Sequence, residues 1–301
     1  MRYTVSASPH IRAKISTDTI MRDVLIALVP ALIASVIIFG LRALLVTAVS
    51  AAACMFFEWA FEKICKKPNT VMDLSAAVTG VLLAFNLPVS IPLWQVVFGA
   101  LVAIVVVKQL FGGLGKNFAN PAITARIVML LAFAGTMTTW TTVDGVSGAT
   151  PLAAMAAGEL TPIGKLFLGA HGGSLGETSA LALLIGLAYL LYRKVITWHT
   201  PAAMVGTVFV LTLILGANPV RQILSGGLLL GAIFMATDYV TTPSTPKGRL
   251  AFGVGAGLLT VLIRLYGSYP EGVSFAILFM NILTPYINRF TGTKPFGGIS
   301  A

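Results

Sequence analysis

Charge is what this sequence has least of. Asp, Glu, Lys and Arg make up only 10% of its 301 residues, against 57% apolar side chains, and the mean hydropathy is +0.92. A soluble domain carries about a quarter charged residues, so a water-soluble globule is excluded and an integral membrane protein remains. Cysteine is nearly absent too. Cys54 and Cys65 stand eleven residues apart with no Cys-x-x-Cys and no His nearby, which excludes a zinc site and a complete set of iron–sulfur ligands. The three His (His10, His171, His199) are scattered, so a haem with axial ligands on facing helices is not expected. No Gly-x-Gly-x-x-Gly opens a βαβ unit, and the Gly112–Gly115 stretch joins two apolar runs as a tight turn. Any redox chemistry therefore rests on an organic cofactor or on partner subunits.

Twenty Lys and Arg face ten Asp and Glu, a formal charge of +10. The basic residues lie in short clusters between apolar runs, where membrane topology rather than nucleic acid puts them. A spanning helix needs about 20 mostly apolar residues. Ten runs approach that, near 22–40, 42–64, 73–88, 92–111, 120–138, 178–193, 200–216, 220–237, 249–266 and 272–288. They predict an all-α membrane protein of about ten transmembrane helices. With the N-terminus in the cytoplasm, fifteen of the twenty Lys and Arg fall inside, including Lys63, Lys66, Lys67, Arg193 and Lys194. Four (Arg42, Lys165, Arg221, Arg264) fall outside, and Arg126 lies within a helix. That bias predicts that both termini face the cytoplasm. Glu58 and Glu62 are expected at the cytoplasmic interface beside the Lys cluster.

Sliding the second half over the first by about 150–157 residues brings Leu74-Ser75-Ala76-Ala77 onto Leu224-Ser225-Gly226-Gly227, Phe98-Gly99 onto Phe252-Gly253, and Lys108 onto Arg264. The offset is five helices, an odd number, so two halves of five would lie in opposite orientations. The segments are then a cytoplasmic N-terminus (1–21), a first five-helix repeat (22–138), an external loop (139–177), a second repeat (178–288) and a cytoplasmic tail (289–301). The runs from Asp73 and from Val220 end in Pro- and Thr-containing segments, as interrupted helices facing a central cavity do. Such a fold suits a cofactor-bearing electron carrier and a urea-type solute channel equally.

The long 139–177 connection holds Asp144-Gly145-Val146-Ser147-Gly148-Ala149-Thr150-Pro151. By residue chemistry alone this is a turn ending in a hydroxyl on extended backbone before proline. It also resembles the acceptor sequence at which flavin transferases attach FMN to the terminal Thr hydroxyl. The resemblance spreads over the chain through Ser8-Pro9-His10-Ile11-Arg12, Val105 to Ala122, Met235-Ala236-Thr237-Asp238 with Thr241-Thr242-Pro243, and Glu271 to Ala276. Together these resemble the family of Rnf D subunits and Nqr B subunits, and the compact length is similar to the Rnf branch.

The resemblance implies a membrane subunit of an ion-pumping ferredoxin:NAD oxidoreductase, with FMN esterified to Thr150 on the outer face. It implies partners that bear FMN (a G subunit), iron–sulfur clusters and the NAD site, together with a flavin transferase for maturation. Asp144, Gly145, Ser147, Gly148 and Ala149 would present the loop or simply form a turn. Asn117 and Asn120 would cap the fifth helix and also border a non-covalent flavin, riboflavin in the Nqr relative. Arg126, where an unpaired Arg costs at least about 2.5–3.5 kcal/mol, would meet a flavin, Asp73, Asp238 or the interface. Asp238 and Asp73, at helix breaks, are candidates for coupling to Na⁺ or H⁺, with helix capping the other reading of Asp73.

Overall fold

The computed structural model describes residues 16–141, 148–267 and 272–292. Among these the chain is helical throughout, with no strand ladder. The larger helices are α1 (Thr17–Phe39), α2 (Leu41–Ile64), α3 (Ser75–Phe85), α4 (Leu93–Gln109), α5 (Pro121–Ala132), α6 (Ala180–Tyr192), α7 (His199–Ile214), a two-piece α8 (Pro219–Leu224, then 228–235), α9 (Pro246–Tyr266) and α10 (Val273–Thr291). Three of them, α1, α2 and α9, are long and apolar enough to cross a membrane, and five shorter apolar helices accompany them. The long connection carries two six-residue helices, Pro151–Ala156 and Ile163–Leu168.

Four helices share one starting device. Asn120, Thr150, Asn218 and Thr245 each accept a backbone N–H from the first turn, and each is followed by proline. A polar cap satisfies an orphan donor, and proline at the first helical position gives up only an N–H that had no partner.

Helix α3 is short for two sequence reasons. It starts after Leu74, held at φ 63°, and it stops before Pro88, which cannot continue a helix. Its small residues let it sink against α2. A Cβ on Gly80 would come within 2.6 Å of the Ala51 Cα, and Ser50 Oγ donates to the Gly80 carbonyl at 2.7 Å. Close backbone approach through small residues is how membrane helices pack without a hydrophobic drive between them. The free C-terminal end of α3 lies inside the protein and is closed by the long connection: Gly176 N donates to the Phe85 carbonyl at 2.9 Å and Leu175 N to that of Leu87 at 3.0 Å.

In the chain's first half α2 packs on α3 and α4, and α4 on α5; in the second α7 packs on α8 and α9, and α9 on α10. Helix α8 breaks at Ser225-Gly226-Gly227, where Gly226 takes φ 65°. The run expected at 120–138 is helical only to Ala132, turns at Phe133, and resumes for four residues as Ala134–Met137. Glu58 and Glu62 do not face the interface: they are 0% and 3% exposed, turned inward on the same face of α2 as Ser50 and Cys54.

Candidate functional site

A cleft enclosing about 790 Å³, its open mouth included, lies where α1, α3, α4, α5, α6 and α8 converge. Ile20, Val24, Leu82, Ile196 and Phe234 give it apolar walls, while Ser75, Lys108, Asn117, Asn120 and Asp238 add polar groups. A mostly apolar wall with a few convergent polar groups is the usual make-up of a small-molecule or cofactor site. Three residues singled out from the sequence, Asn117, Asn120 and Asp238, are thus brought to one place.

Each has a defined local role. Asn120 Oδ1 accepts from Ala122 N at 3.1 Å and Ile123 N at 3.3 Å, and Nδ2 points to the Met235 carbonyl at 3.5 Å. It therefore caps α5 and borders the cleft at once. Asn117 Nδ2 donates to the Ala119 carbonyl at 3.0 Å. Asp238 accepts from Thr241 Oγ1 at 3.0 Å and Val240 N at 3.5 Å. Burial pushes its carboxyl above the usual range, against the pull of those two donors.

Asp73 sits nearby but not on the wall. Its Oδ1 accepts from Ser75 N at 2.8 Å and from Ser75 Oγ, an Asx turn that starts α3. Ser75 Oγ also accepts from Lys108 Nζ at 2.6 Å, and the same ammonium meets Glu58 Oε1 at 2.6 Å. Gln109 Nε2 donates to Glu58 Oε1 at 2.9 Å. Two successive residues of α4 thus reach one carboxylate. The cause is the widened second half of α4, in which Leu110 N bonds Val105 O and Gly113 N bonds Lys108 O, five residues back. A wider turn rotates less per residue than the roughly 100° of an α-helix, so neighbours share a face. In the sequence Lys108 reads as one of the topology charges. The available signal was its position at the end of the uninterrupted apolar run Val102–Val107, and the four-residue spacing of Ser50, Cys54, Glu58 and Glu62.

Arg126 is 6% exposed and lies between α3 and α10. Its Nε donates to the Asn86 carbonyl at 3.2 Å and NH1 donates to Ser274 Oγ. A cation on the last carbonyls of a helix meets the negative end of the helix dipole, so the end of α3 helps to offset the charge. Asp73 and Asp238 use their oxygens elsewhere, on Ser75, Thr241 and Val240.

Thr150 is 5% exposed, and its Oγ1 accepts from Ala153 N at 3.3 Å as the cap of Pro151–Ala156. The next turn rests on the break in α8: a Cβ on Gly226 would stand 2.6 Å from Leu152 Cδ1 and 3.0 Å from an Arg264 nitrogen. From Gly226 to Phe234 at the cleft α8 advances eight residues, roughly 10–12 Å. Gly148 is half-buried and Ala149 exposed. Asp144, Gly145 and Ser147 lie outside the described residues, as do the Ser8–Arg12 segment and Glu271.

These features define a class: a helical membrane protein with an interrupted helix leading from a capped threonine to a mostly apolar cleft with a few polar groups. The chain belongs to the NQR2, RnfD, RnfE family, whose pattern it matches over residues 4–297. It is similar to the D subunit of the Na(+)-translocating ferredoxin:NAD(+) oxidoreductase complex of Acetobacterium woodii, 49% identical over 99% of this chain and 96% of that protein. It is also similar to the D subunit of the proton-translocating ferredoxin:NAD(+) oxidoreductase complex of Clostridium ljungdahlii, at 42% identity over 98% and 96%. The D subunit of an ion-translocating oxidoreductase complex of Ectopseudomonas mendocina is 35% identical over 96% and 94%.

Proposed function

We propose that this chain is the flavin-carrying membrane subunit of an ion-translocating ferredoxin:NAD oxidoreductase complex. The observation that carries the reading is the end-to-end similarity to D subunits of complexes so named, joined to a threonine hydroxyl at the end of an acceptor-like segment. FMN would be held as a phosphoester on Thr150. The ester oxygen keeps its lone pairs, so the bond from Ala153 N survives the modification, and attachment precedes the packing that buries Thr150. A second, non-covalent flavin of the riboflavin type would occupy the cleft, with Asn117, Asn120 and Lys108 as its polar neighbours. A flavin supplies one- and two-electron transfer, while the chain sets its position and surrounding charge. Arg126 acts in this reading by closing the end of α3. Asp238 remains the candidate for ion coupling, because it borders the cleft, and Asp73 acts through Ser75. The other subunits, including an FMN-bearing G subunit and those with iron–sulfur clusters and the NAD site, deliver and remove the electrons.

Ten crossings in two inverted halves are part of the same proposal. What supports them is a repeated contact: Lys108 of α4 donates to Ser75 at the start of α3, and Arg264 of α9 donates to the Ser225 carbonyl at the break of α8. Both termini would then be cytoplasmic and Thr150 external.

In-gel ultraviolet fluorescence of the denatured protein, co-produced with a flavin transferase, tests the covalent site. A band present in wild type and lost in Thr150→Ala is the expected result. Dark bands in both, with the transferase active on a control acceptor, would overturn the flavoprotein reading and return the fold to solute transport.

A further inference from the structure

Helices α7 and α9 lie side by side and point the same way. A Cβ on Gly253 would stand 2.7 Å from the Thr200 carbonyl oxygen, and one on Gly257, four residues on, 2.8 Å from that of Met204, again four residues on. Two positive helix ends therefore sit together, an arrangement that favours negative charge beside them. Thr245 caps α9, but α7 begins with no side-chain cap, and the first N–H groups of a helix have no partner within it.

A notch of about 250 Å³, its open mouth included, lies at this corner. Its walls are Thr197 and Thr200 at the start of α7, Thr237, Tyr239 and Thr242 after α8, and Arg249 in the first turn of α9. Thr237, Tyr239 and Thr242 give their hydroxyl protons to the carbonyls of Ile233, Val195 and Asp238. The donors left for a ligand are Thr200 and Arg249. Thr200 is 2% exposed, and its hydroxyl makes no hydrogen bond among the described residues. Arg249 donates from Nε to the Pro243 carbonyl at 3.1 Å and from NH1 to Thr197 Oγ1 at 2.9 Å, which leaves NH2 without an acceptor among the described residues. The neighbouring carboxylates are engaged elsewhere: Asp23 holds Arg193 and Tyr189, and Asp238 accepts from Thr241 and Val240. Beside Thr200, the buried Nδ1 of His199 is unpartnered too. A guanidinium with no carboxylate, a buried hydroxyl and an uncapped helix start converging on one notch suit an anion.

Packing alone does not demand the opening. At the matching end of the first half, where α2 and α4 begin, Arg42 fills the corner itself, donating to the carbonyls of Val89 at 2.8 Å and Ile91 at 3.1 Å. The surroundings of the notch indicate which anion it takes. Tyr192 and Trp198 are exposed at this end, as aromatic residues are at the headgroup level of a bilayer, and Lys194 and Lys247 are exposed as well. Leu250, Val254, Leu258 and Leu262, all exposed, run along one side of α9 at four-residue spacing, a single apolar stripe leading away from Arg249. An anion site continued by a hydrocarbon stripe matches the two ends of a phospholipid.

We infer that the corner between α7 and α9 is a binding site for an anionic phospholipid. The phosphodiester takes hydrogen bonds from Arg249 and from the Thr200 hydroxyl and lies against the start of α7, and an acyl chain follows the stripe on α9. Under the proposed orientation the lipid belongs to the cytoplasmic leaflet, where basic pockets between helices hold anionic headgroups. The site is independent of the flavin cleft, and its loss leaves Thr150 unaffected.

The test is native mass spectrometry of the full-length chain in detergent, as wild type, Thr200→Val, Thr200→Ser and Arg249→Met, titrated with phosphatidylglycerol or phosphatidylcholine. Both lipids carry a phosphodiester, but choline cancels its charge. Wild type should bind phosphatidylglycerol the more tightly. Thr200→Val and Arg249→Met should each weaken that binding about tenfold or more, the scale of a hydrogen bond to a charged group, and Thr200→Ser should keep it. Thr200→Val removes no hydrogen bond of the protein itself, so its melting temperature in phosphatidylcholine should equal that of wild type; if Arg249→Met does not fold, the two Thr200 variants still decide. Equal affinity for the two lipids, or wild-type affinity in Thr200→Val, overturns the site. Glycerol 1-phosphate displacing phosphatidylglycerol at equal concentration makes the occupant a soluble phosphate ester and overturns the lipid. In the assembled complex, wild type should retain one more phosphatidylglycerol per chain than Thr200→Val; equal counts mean that another subunit covers the corner, and overturn the inference.

Discussion

Gly176 offers the sharpest stability test, because its space is taken by atoms that cannot move away. A Cβ there would fall 2.3 Å from both Cβ and Cγ of Phe85, and Phe85 is 0% exposed on α3. The root of a packed ring has no rotamer that clears this overlap, so Gly176→Ala must lift the connection off the end of α3. Two hydrogen bonds go with it, Gly176 N to Phe85 O and Leu175 N to Leu87 O. Overpacking costs about 1–3 kcal/mol, and each buried carbonyl left unpaired about 1–3 kcal/mol more. The sum is roughly 3–9 kcal/mol, on the order of 10 °C in melting temperature for a chain of this size. The assay is thermal unfolding in detergent followed by size-exclusion chromatography, with Gly164→Ala as the control, since a Cβ on Gly164 meets nothing within 4 Å. Equal melting of Gly176→Ala and Gly164→Ala would refute the claim that this connection closes α3.

Arg126→Met should be destabilising by a few kcal/mol, about 1–3 for each acceptor left alone at Asn86 and Ser274. Arg126→Lys should recover only part of this, because an ammonium cannot hold both acceptors in a planar fork; the same melting assay decides it. His171, whose ring nitrogens face the carbonyls of Gly172 and Thr178 at 3.0 and 3.1 Å, has its pKa pushed below the ordinary 6.5, by burial chiefly. The unfolded chain then binds the extra proton, so stability is full above pH 6.5 and falls as pH drops below it; His171→Gln should flatten that fall. Asp238 shows the opposite sign, its pKa being raised from 3.8 by burial. Its contribution is present below that value and lost as pH rises through the folded-state pKa, so the melting temperature of Asp238→Asn should depend less on pH above it.

The sequence carried the helical class, the order of the elements and the broken segments, because Pro88, Gly226 and the Asn/Thr-Pro caps act on their own backbone within a few residues. Asn117 and Asn120 were legible as flavin neighbours only through family resemblance, and Asp238 only as a carboxylate at a helix break; nothing in the sequence joined the three, since α5 and the end of α8 bring them together. Glu58 was misplaced for a physical reason. A carboxylate near a Lys cluster at a helix end reads as solvated, and the contacts with Lys108 and Gln109, some fifty residues away, make its burial tolerable. The role of Arg126 was hidden likewise, because one of its acceptors is a main-chain carbonyl at the end of another helix, which no residue pattern announces.

The closed end of α3 has a consequence for how the chain is assembled in the membrane. Eleven residues make a rod of about 17 Å, against a hydrocarbon layer of about 30 Å, so α3 cannot enter as a self-sufficient hairpin arm. Its end carbonyls need Gly176, Leu175 and Arg126, and all three are synthesised later than α3 itself. Insertion therefore cannot proceed strictly in order of synthesis. Helices α1 and α2 are long and apolar enough to enter on their own, whereas α3 settles only when the chain past residue 176 has emerged and folded back over it.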